Sequence, residues 1–206
     1  MGDLHGTETG AGASTGESTT DGRVVAVCGV PGVGKTTVAE WIAENHGGEL
    51  LRSDLVRKEL FPEPSYTEAE RRRTYATLFD RGLAVAERGR TAVLDATFAR
   101  RRYRDQLIER AGERGVDVEF VAVDCAEPVV RERIATREGA SDADFEVYLY
   151  YRYRFDPVRR PHLAVDNSGE LAETYAQLER HFGDAGEITV GDGRHEREVG
   201  GASEAE

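Results

Sequence analysis

The sequence predicts an α/β fold, a three-layer αβα sandwich in which helices cover both faces of a parallel β-sheet. Short apolar segments rich in β-branched residues alternate along the chain with longer segments of helical periodicity. The apolar segments are continuous, which is typical of strands buried on both faces of a parallel sheet. Because ligands bind such sheets beyond the carboxyl ends of the strands, the residues that follow each strand are the first candidates for a functional site.

The elements follow from the hydrophobic pattern and from the residues that start and stop helices. The predicted strands are residues 23–28, 49–52, 91–98, 116–125 and 162–167, and residues 187–190 could add an edge strand. The predicted helices are residues 36–46, 53–60, 66–89, a basic helix that ends near residue 114, and residues 128–137, 141–154 and 170–182. Gly47 and Gly48 stop the first helix, Thr67 and Glu70 have the spacing of a capping box, and Pro128 suits a first helical turn.

The chain has 206 residues, enough for one domain with a hydrophobic core. We expect that domain at residues 23–191, between disordered tails at 1–22 and 192–206 that are low in apolar content. Cys28 and Cys125 are expected to be small buried residues, since two thiols do not make a disulfide framework. No segment reaches the roughly 20 apolar residues of a membrane span, and the N-terminus has no apolar targeting segment. We therefore expect a cytoplasmic protein that does not contact a membrane.

The charge composition is unusual. Acidic residues outnumber basic ones by 39 to 27, for a formal net charge of −12, and 25 of the 27 basic residues are arginine. Bulk repulsion of this size argues against a general nucleic-acid coat, although it leaves room for a local basic groove. The acid-rich, lysine-poor composition favours a halophilic protein, because molar salt screens repulsion between carboxylates. An ordinary acidic protein from a high-GC genome is the alternative.

Residues 29–36, GVPGVGKT, match the pattern G-x-x-x-x-G-K-[ST] between a predicted strand and a predicted helix. In such a P-loop, backbone N–H groups wrap a polyphosphate and the helix N-terminus adds its positive dipole end. Lys35, one of only two lysines, would reach the β- and γ-phosphates as a compact charge that the planar arginine fork does not imitate. The hydroxyl of Thr36 would ligate Mg²⁺. The predicted nucleotide-binding residues are Gly29, Val30, Pro31, Gly32, Val33, Gly34, Lys35, Thr36 and Thr37.

Two carboxylates lie at the ends of the second and third predicted strands. Asp54 comes after the second strand and could accept a proton from an attacking hydroxyl, with Arg57 one turn later to hold an anionic group. Position alone does not separate this from a helix cap formed by Ser53 or Asp54. Asp95 follows the apolar part of the third strand, where a carboxylate can hold Mg²⁺ through water or position the acceptor. The alternative for Asp95 is a solvated carboxylate at a strand end.

Arginines form three further groups. Arg133 and Arg137 are four residues apart on one predicted helical face, before a Gly-Ala-Ser break, which is typical of a lid that neutralises the transferred group. The alternative is a charged solvent face. The clusters at 70–73 and 100–104 could bind a phosphorylated acceptor or an RNA end, or could be solvated faces paired to the surrounding acids.

With these motifs the chain resembles the small P-loop kinases of the AAA-33 type and, more distantly, phage polynucleotide kinase, chloramphenicol phosphotransferase and zeta toxins. The resemblance rests on GVPGVGKTT, LRSDLVRKEL, LDATF and RERIATRE, and spans residues 24–168. It implies an adenylate-kinase-like five-stranded parallel sheet, a helical lid and ATP as phosphoryl donor. Carried over residue by residue, it implies that Asp54 is the general base, that Arg57 is the cation on the acceptor side, and that Arg133 and Arg137 are the lid arginines.

The sequence thus predicts an enzyme that uses ATP and Mg²⁺ to phosphorylate a hydroxyl of a small-molecule acceptor. Two alternatives stay open. One is a kinase of RNA or DNA 5′-hydroxyl ends, suggested by the arginines between residues 100 and 104. The other is an ATP-dependent switch without an acceptor. The sequence identifies neither the acceptor nor the oligomeric state.

Overall fold

The computed structural model of the protein describes residues 22–136 and 142–183. A five-stranded, fully parallel β-sheet forms its centre. The strand order is β2-β3-β1-β4-β5. The strands are β1 (Arg23–Cys28), β2 (Glu49–Arg52), β3 (Ala92–Asp95), β4 (Asp117–Asp124) and β5 (Leu163–Asp166). The predicted α/β fold class and its five-stranded parallel sheet are confirmed.

Helices flank both faces of this sheet. They are α1 (Lys35–Asn45), α2 (Ser53–Leu60), α3 (Glu68–Ala86), α4 (Arg101–Gly112), α5 (Glu127–Ala135), α6 (Asp142–Arg154) and α7 (Leu171–Phe182). Side chains of β1 alternate between two hydrophobic cores: Val24 packs with α3 and α4, whereas Val25 packs with α1 and α7. Five of the six β1 residues are buried, so this central strand needs apolar side chains on both faces.

Three predicted boundaries were wrong by a few residues. The third strand ends at Asp95 instead of residue 98, because the chain leaves the sheet there and Phe98 adopts a positive φ of 47°. The helix predicted at 66–89 begins at Glu68 and ends at Ala86. Thr67 caps it by accepting a hydrogen bond from the Glu70 N–H, but the Glu70 carboxylate accepts from the Ser65 N–H, so the reciprocal bond of a capping box does not form.

The strand register places the predicted site residues at one edge of the sheet. Arg52 at the end of β2 is opposite Asp95 at the end of β3, and Asp95 is opposite Val27 of β1. On the other side of β1, Asp124 and Asp166 are register partners. The carboxyl ends of the strands therefore meet around the loop that follows β1, where a doubly wound sheet binds ligands.

The remaining predictions concern the two cysteines, membrane contact, the lid and the tails. Cys28 and Cys125 are buried free thiols, as expected. In the part of the chain described, no helix combines the length and the apolar character needed to cross a bilayer. Arg137, the Gly-Ala-Ser break, residues 187–190 and almost all of both predicted tails lie outside the described residues. The limits of the domain and the lid behaviour of α5 and α6 stay predictions.

Candidate phosphate-binding and catalytic site

The loop between β1 and α1 has a backbone that only glycine tolerates at key positions. Gly32 and Gly34 have φ values of +87° and +90°, in the left-handed region that L side chains rarely adopt. A Cβ on Gly34 would lie 2.1 Å from Nδ2 of Asn167, closer than any real contact. The glycines that the sequence motif requires are thus explained by backbone conformation and by a buried neighbour.

The first turn of α1 is an open anion-binding site. Its N-cap residue is Gly34, no side chain caps it, and no acidic residue lies in its first turn. The backbone N–H groups there have no intrahelical acceptor. Together with the positive end of the helix dipole they favour a phosphate at this position.

Lys35 lies inside the loop. Its Nζ donates a hydrogen bond to the carbonyl oxygen of Val30 at 2.9 Å. Burial lowers the pKa of the ammonium, while the carboxylates of Asp95 and Asp54 act in the opposite direction. A cation in this position can exchange its bond to Val30 for bonds to phosphate oxygens with little movement of the chain.

Thr36 and Asp95 are in direct contact. The Thr36 hydroxyl donates a hydrogen bond to Oδ2 of Asp95 at 2.6 Å, and Asp95 is only 6% exposed. A hydroxyl and a buried carboxylate side by side form the partial oxygen shell that Mg²⁺ uses when water and substrate phosphates complete it. The described residues contain no cluster of three or more His, Cys, Asp or Glu side chains arranged for a metal. Thr36 and Asp95 are thus the residues that would hold a magnesium ion at this site.

Asp54 is in the first turn of α2 and does not cap it. The N-cap position belongs to Arg52, without a side-chain capping bond. Asp54 instead accepts two hydrogen bonds from the Arg52 guanidinium, at 3.3 and 3.0 Å. The capping alternative is therefore wrong, and the carboxylate is held at the edge of the sheet with about half of its side chain exposed (52%).

Arg52 is a residue of this site that sequence reasoning missed. Its Nε also lies 3.9 Å from Oδ2 of Asp95, so the same guanidinium connects the two carboxylates. The sequence offered a signal for Arg52, because it is the last residue of β2 and ligands bind at strand ends in this fold. A cation between Asp54 and Asp95 reduces the repulsion between them and fixes the position of Asp54.

Asn167 is a second missed residue, and it lies behind the loop. Its Nδ2 donates to the Val33 carbonyl at 2.8 Å, and its Oδ1 accepts from the Thr174 hydroxyl at 2.7 Å. Its own N–H donates to the Asp124 carbonyl at 2.8 Å. Asn167 is almost completely buried, so these bonds tie the phosphate loop to β4 and α7. Asn167 is one of only two asparagines in the chain and directly follows β5, and this place at a strand end is the signal that could have found it.

Arg133 is close to the phosphate loop. It is in the last turn of α5, its Nη1 lies 3.5 Å from the Cys125 sulfur, and the same atom would be 3.9 Å from a Cβ on Gly34. The structure thus brings one of the two predicted lid arginines beside the loop. Its predicted companion, Arg137, is outside the described residues.

Arg57 lies next to Tyr66, a residue just before α3. Its guanidinium lies 5.0 Å from the centroid of the Tyr66 ring, and its Nη1 is buried without a hydrogen-bond partner among the described residues. A buried donor without a partner is costly. This atom is therefore a candidate ligand-binding group.

The arginine cluster at 100–104 does not act as a unit. Arg101 is paired with Asp105, and Arg102 with Glu68. Arg104 is buried and donates to the backbone carbonyls of Phe98, Asp156 and Pro157, which makes it a structural residue. Of these arginines only Arg100 lines a solvent-open cleft between α2, α3, α4 and α6. The cluster therefore does not form a continuous basic stripe.

Comparison with known proteins gives a family and a set of similar folds. A family model described as an AAA domain (AAA_33) matches residues 24–158, well over half of the chain. No curated protein matches the chain. Among solved structures, a gluconokinase from Sinorhizobium meliloti 1021 is similar at 26% identity over 77% of this chain and 89% of that one, with a TM-score of 0.59.

Two further structures show the same fold at lower identity. A sugar kinase from Janibacter sp. HTCC2649 has 22% identity, covers 80% of this chain and 96% of its own, and has a TM-score of 0.62. The APS kinase of Mycobacterium tuberculosis, in complex with AMPPNP and APS, has 19% identity, covers 77% and 98%, and has a TM-score of 0.63.

Proposed function

We propose that this chain, which belongs to the AAA_33 family, is a P-loop kinase that transfers the γ-phosphate of ATP to a hydroxyl group of a small molecule. One observation carries the proposal. Asp54 is held by Arg52 beside Asp95, and Asp95 contacts Thr36 at the start of the helix that follows the phosphate loop. A partly exposed carboxylate in this position can meet a hydroxyl group that approaches the phosphates from solvent.

In the proposed reaction, Asp54 accepts the proton of the acceptor hydroxyl as its oxygen attacks the γ-phosphorus. The bond between that phosphorus and the β–γ bridging oxygen breaks, and ADP leaves. The loop N–H groups, the N-terminus of α1 and Lys35 bind the phosphates and offset the charge that develops on them. When bound by Thr36 and Asp95, Mg²⁺ would supply further charge neutralisation and orient the phosphates. Arg133 and Arg137 are proposed to add positive charge beside the transferred group.

Similar solved structures support the choice of a small-molecule acceptor. The gluconokinase and the sugar kinase are named for such acceptors. The polynucleotide alternative loses support because Arg101 and Arg102 are paired with acids and Arg104 is buried. The switch alternative predicts ATP binding without transfer to any acceptor, and it gives no reason for a carboxylate to be positioned at Asp54.

Replacing Asp54 with Asn tests the proposed base. ³¹P NMR follows the γ-phosphate of ATP in the presence of Mg²⁺ and separate pools of sugars, nucleosides and 5′-hydroxyl oligonucleotides. The wild type should give a new phosphomonoester signal in one small-molecule pool. Asp54→Asn should lower that rate by about 10²- to 10⁴-fold, the usual contribution of a general base, with ATP affinity nearly unchanged.

Asp80→Asn is the matched control, since Asp80 is also an exposed helical aspartate paired with arginine, namely Arg110 and Arg114. It should leave the transfer rate unchanged. A wild-type rate in Asp54→Asn would show that Asp54 is not the base. Slow phosphate release, equal in every pool, would count for the switch, and a signal confined to oligonucleotides would count for the polynucleotide kinase.

A further inference from the structure

We propose that the acceptor is a small molecule that already carries a phosphomonoester, which binds in a cleft lined by arginine and tyrosine. That the bound molecule is the phosphoryl acceptor rests on the proposed function. That the cleft binds an anion does not depend on it. The cleft, called here the arginine–tyrosine cleft, is lined by four arginines and four tyrosines with three small residues. The arginines are Arg57, Arg71, Arg100 and Arg154.

The cleft opens onto the catalytic edge of the sheet. Ser53, which precedes the proposed base Asp54, is one of its lining residues, and Thr97 is another. The Thr97 carbonyl accepts a hydrogen bond from the N–H of Gly29, the first residue of the phosphate loop, at 3.3 Å. The space inside the cleft, about 560 Å³ including its mouth, is continuous with solvent. A ligand in the cleft can therefore present a hydroxyl group to Asp54.

The charge of the cleft is opposite to that of the protein. The chain has a net charge of −12, yet no described residue that lines the cleft is Asp or Glu. Arg71 is paired with Glu68 at 2.9 Å, and Arg100 is 3.8 Å from Asp156. These carboxylates are outside the lining and compensate two of the four cations.

The other two arginines have no carboxylate partner among the described residues. Arg57 has its buried Nη1 without a hydrogen-bond partner, and Arg154 lies 4.2 Å from the centroid of the Tyr150 ring. What distinguishes these two arginines is that they line the same cleft, in which no described lining residue is acidic. A buried guanidinium N–H that lacks an acceptor is satisfied when an anionic ligand brings one.

A phosphomonoester suits this arrangement better than a carboxylate. The four arginines come from α2, α3, the residue before α4, and α6, so they approach the cleft from different directions. A phosphate presents three acceptor oxygens and close to two negative charges at neutral pH. A carboxylate offers two oxygens in one plane, which one arginine fork already satisfies.

The tyrosines provide a wall for the uncharged part of the ligand. Tyr75 and Tyr103 stack at 4.1 Å between ring centroids, and Tyr150 and Tyr151 pack edge to face at 5.4 Å. Tyr75 and Tyr103 are almost fully buried, so the rings that can cover a sugar or another ring of the ligand are those of Tyr150, which is 49% exposed, and Tyr151. The Tyr75 hydroxyl already accepts from the Phe98 N–H, and the Tyr103 hydroxyl donates to Glu68, so both rings are held in place.

Phosphoryl transfer from ATP to such an acceptor requires no further reactant. The hydroxyl oxygen of the phosphorylated acceptor forms the new bond to the γ-phosphorus, and the bond from that phosphorus to ADP breaks. The hydroxyl proton passes to Asp54. The products are ADP and a compound that carries two phosphate groups.

Binding in matched pairs tests the anion site separately from catalysis. The enzyme is first saturated with Mg²⁺ and AMPPNP, so that the phosphate loop is filled. Calorimetry then compares ribose with ribose 5-phosphate, glucose with glucose 6-phosphate, and glycerol with glycerol 3-phosphate. At least one phosphorylated member should bind about tenfold or more tightly than its neutral partner, as expected for charge-assisted hydrogen bonds to arginine.

Variants locate that binding. Arg57→Gln/Arg154→Gln should reduce affinity for the phosphorylated probe about tenfold or more, with AMPPNP affinity and Tm near wild type. The matched control is Arg81→Gln/Arg90→Gln, which removes the same charge from exposed arginines paired with Glu59 and Glu49. It should bind the probe as the wild type does.

The possible outcomes test the anion site and the kinase function separately. Equal affinity for phosphorylated and neutral members, or wild-type affinity in Arg57→Gln/Arg154→Gln, overturns the anion site. Binding confined to 5′-hydroxyl oligonucleotides overturns it in favour of a nucleic-acid substrate. If a phosphorylated probe binds in the cleft but no pool gains phosphate from ATP, the anion site stands and the kinase function fails. If a neutral compound is phosphorylated, the kinase stands and the anionic acceptor is wrong.

Discussion

Replacing Asn167 with Ala should destabilise the protein and weaken ATP binding together. The side chain makes two buried hydrogen bonds, to the Val33 carbonyl in the phosphate loop and from the Thr174 hydroxyl in α7. Alanine removes both and leaves a carbonyl and a hydroxyl without partners in the interior. Each buried unsatisfied group costs about 1–3 kcal/mol, so for the two groups we expect a loss of roughly 2–6 kcal/mol in the free energy of unfolding.

This loss is large enough to measure in two ways. For a domain of this size, each kcal/mol lowers Tm by about 2–4 °C, which predicts a fall of roughly 4–24 °C. Urea unfolding should give the same loss as a lower midpoint with an unchanged slope. Because the bond to Val33 holds the loop, ATP affinity measured by calorimetry should fall by about tenfold, equivalent to about 1.4 kcal/mol.

Two further variants make the test specific. Asn45→Ala is the control, since Asn45 donates to the Trp41 carbonyl at the same 2.8 Å but is exposed. Its effect should stay within about 0.5 kcal/mol. Asn167→Asp keeps an acceptor for Thr174 but places a carboxylate against the Val33 carbonyl, so it should weaken ATP binding more than alanine does. An Asn167→Ala variant that matches Asn45→Ala in stability and the wild type in ATP affinity would refute this account of the loop.

Two other predictions concern the metal and the thiol in the core. Asp95→Asn should raise the Mg²⁺ concentration needed for half-maximal turnover by about tenfold or more, since a charged oxygen ligand is lost; an unchanged Mg²⁺ titration would exclude Asp95 as a ligand. Burial raises the pKa of Cys28 from 9.0 to about 12, so between these pH values the folded state binds a proton that the unfolded state has lost. The contribution of Cys28 to stability should then be constant below about pH 8.5 and fall by up to about 1.4 kcal/mol per pH unit above pH 9. Unfolding of the wild type and Cys28→Ala at pH 8 and pH 10 measures this, and a stability difference that is the same at both pH values would contradict it.

The sequence by itself determined the sheet, its helices and the phosphate loop. Strand β1 is a continuous apolar run because both of its faces are buried, and that pattern is local. The glycines of the loop could also be predicted from the sequence, because a positive φ is a local property of a single residue and favours glycine. Asp95 could be placed because strand ends gather at one edge in every parallel sheet.

Only the tertiary structure decided which side chains meet. Asn167 and Val33 are 134 positions apart, and their hydrogen bond depends on how β5 packs beside β4. Arg104 and Arg100 belong to one basic run in the sequence, yet one is a buried structural residue and the other lines a cleft. Hydrogen bonds and ion pairs depend on distance and burial, which the folded chain sets between segments far apart in sequence. The arginine–tyrosine cleft, assembled from several separate helices, has no local pattern for the same reason.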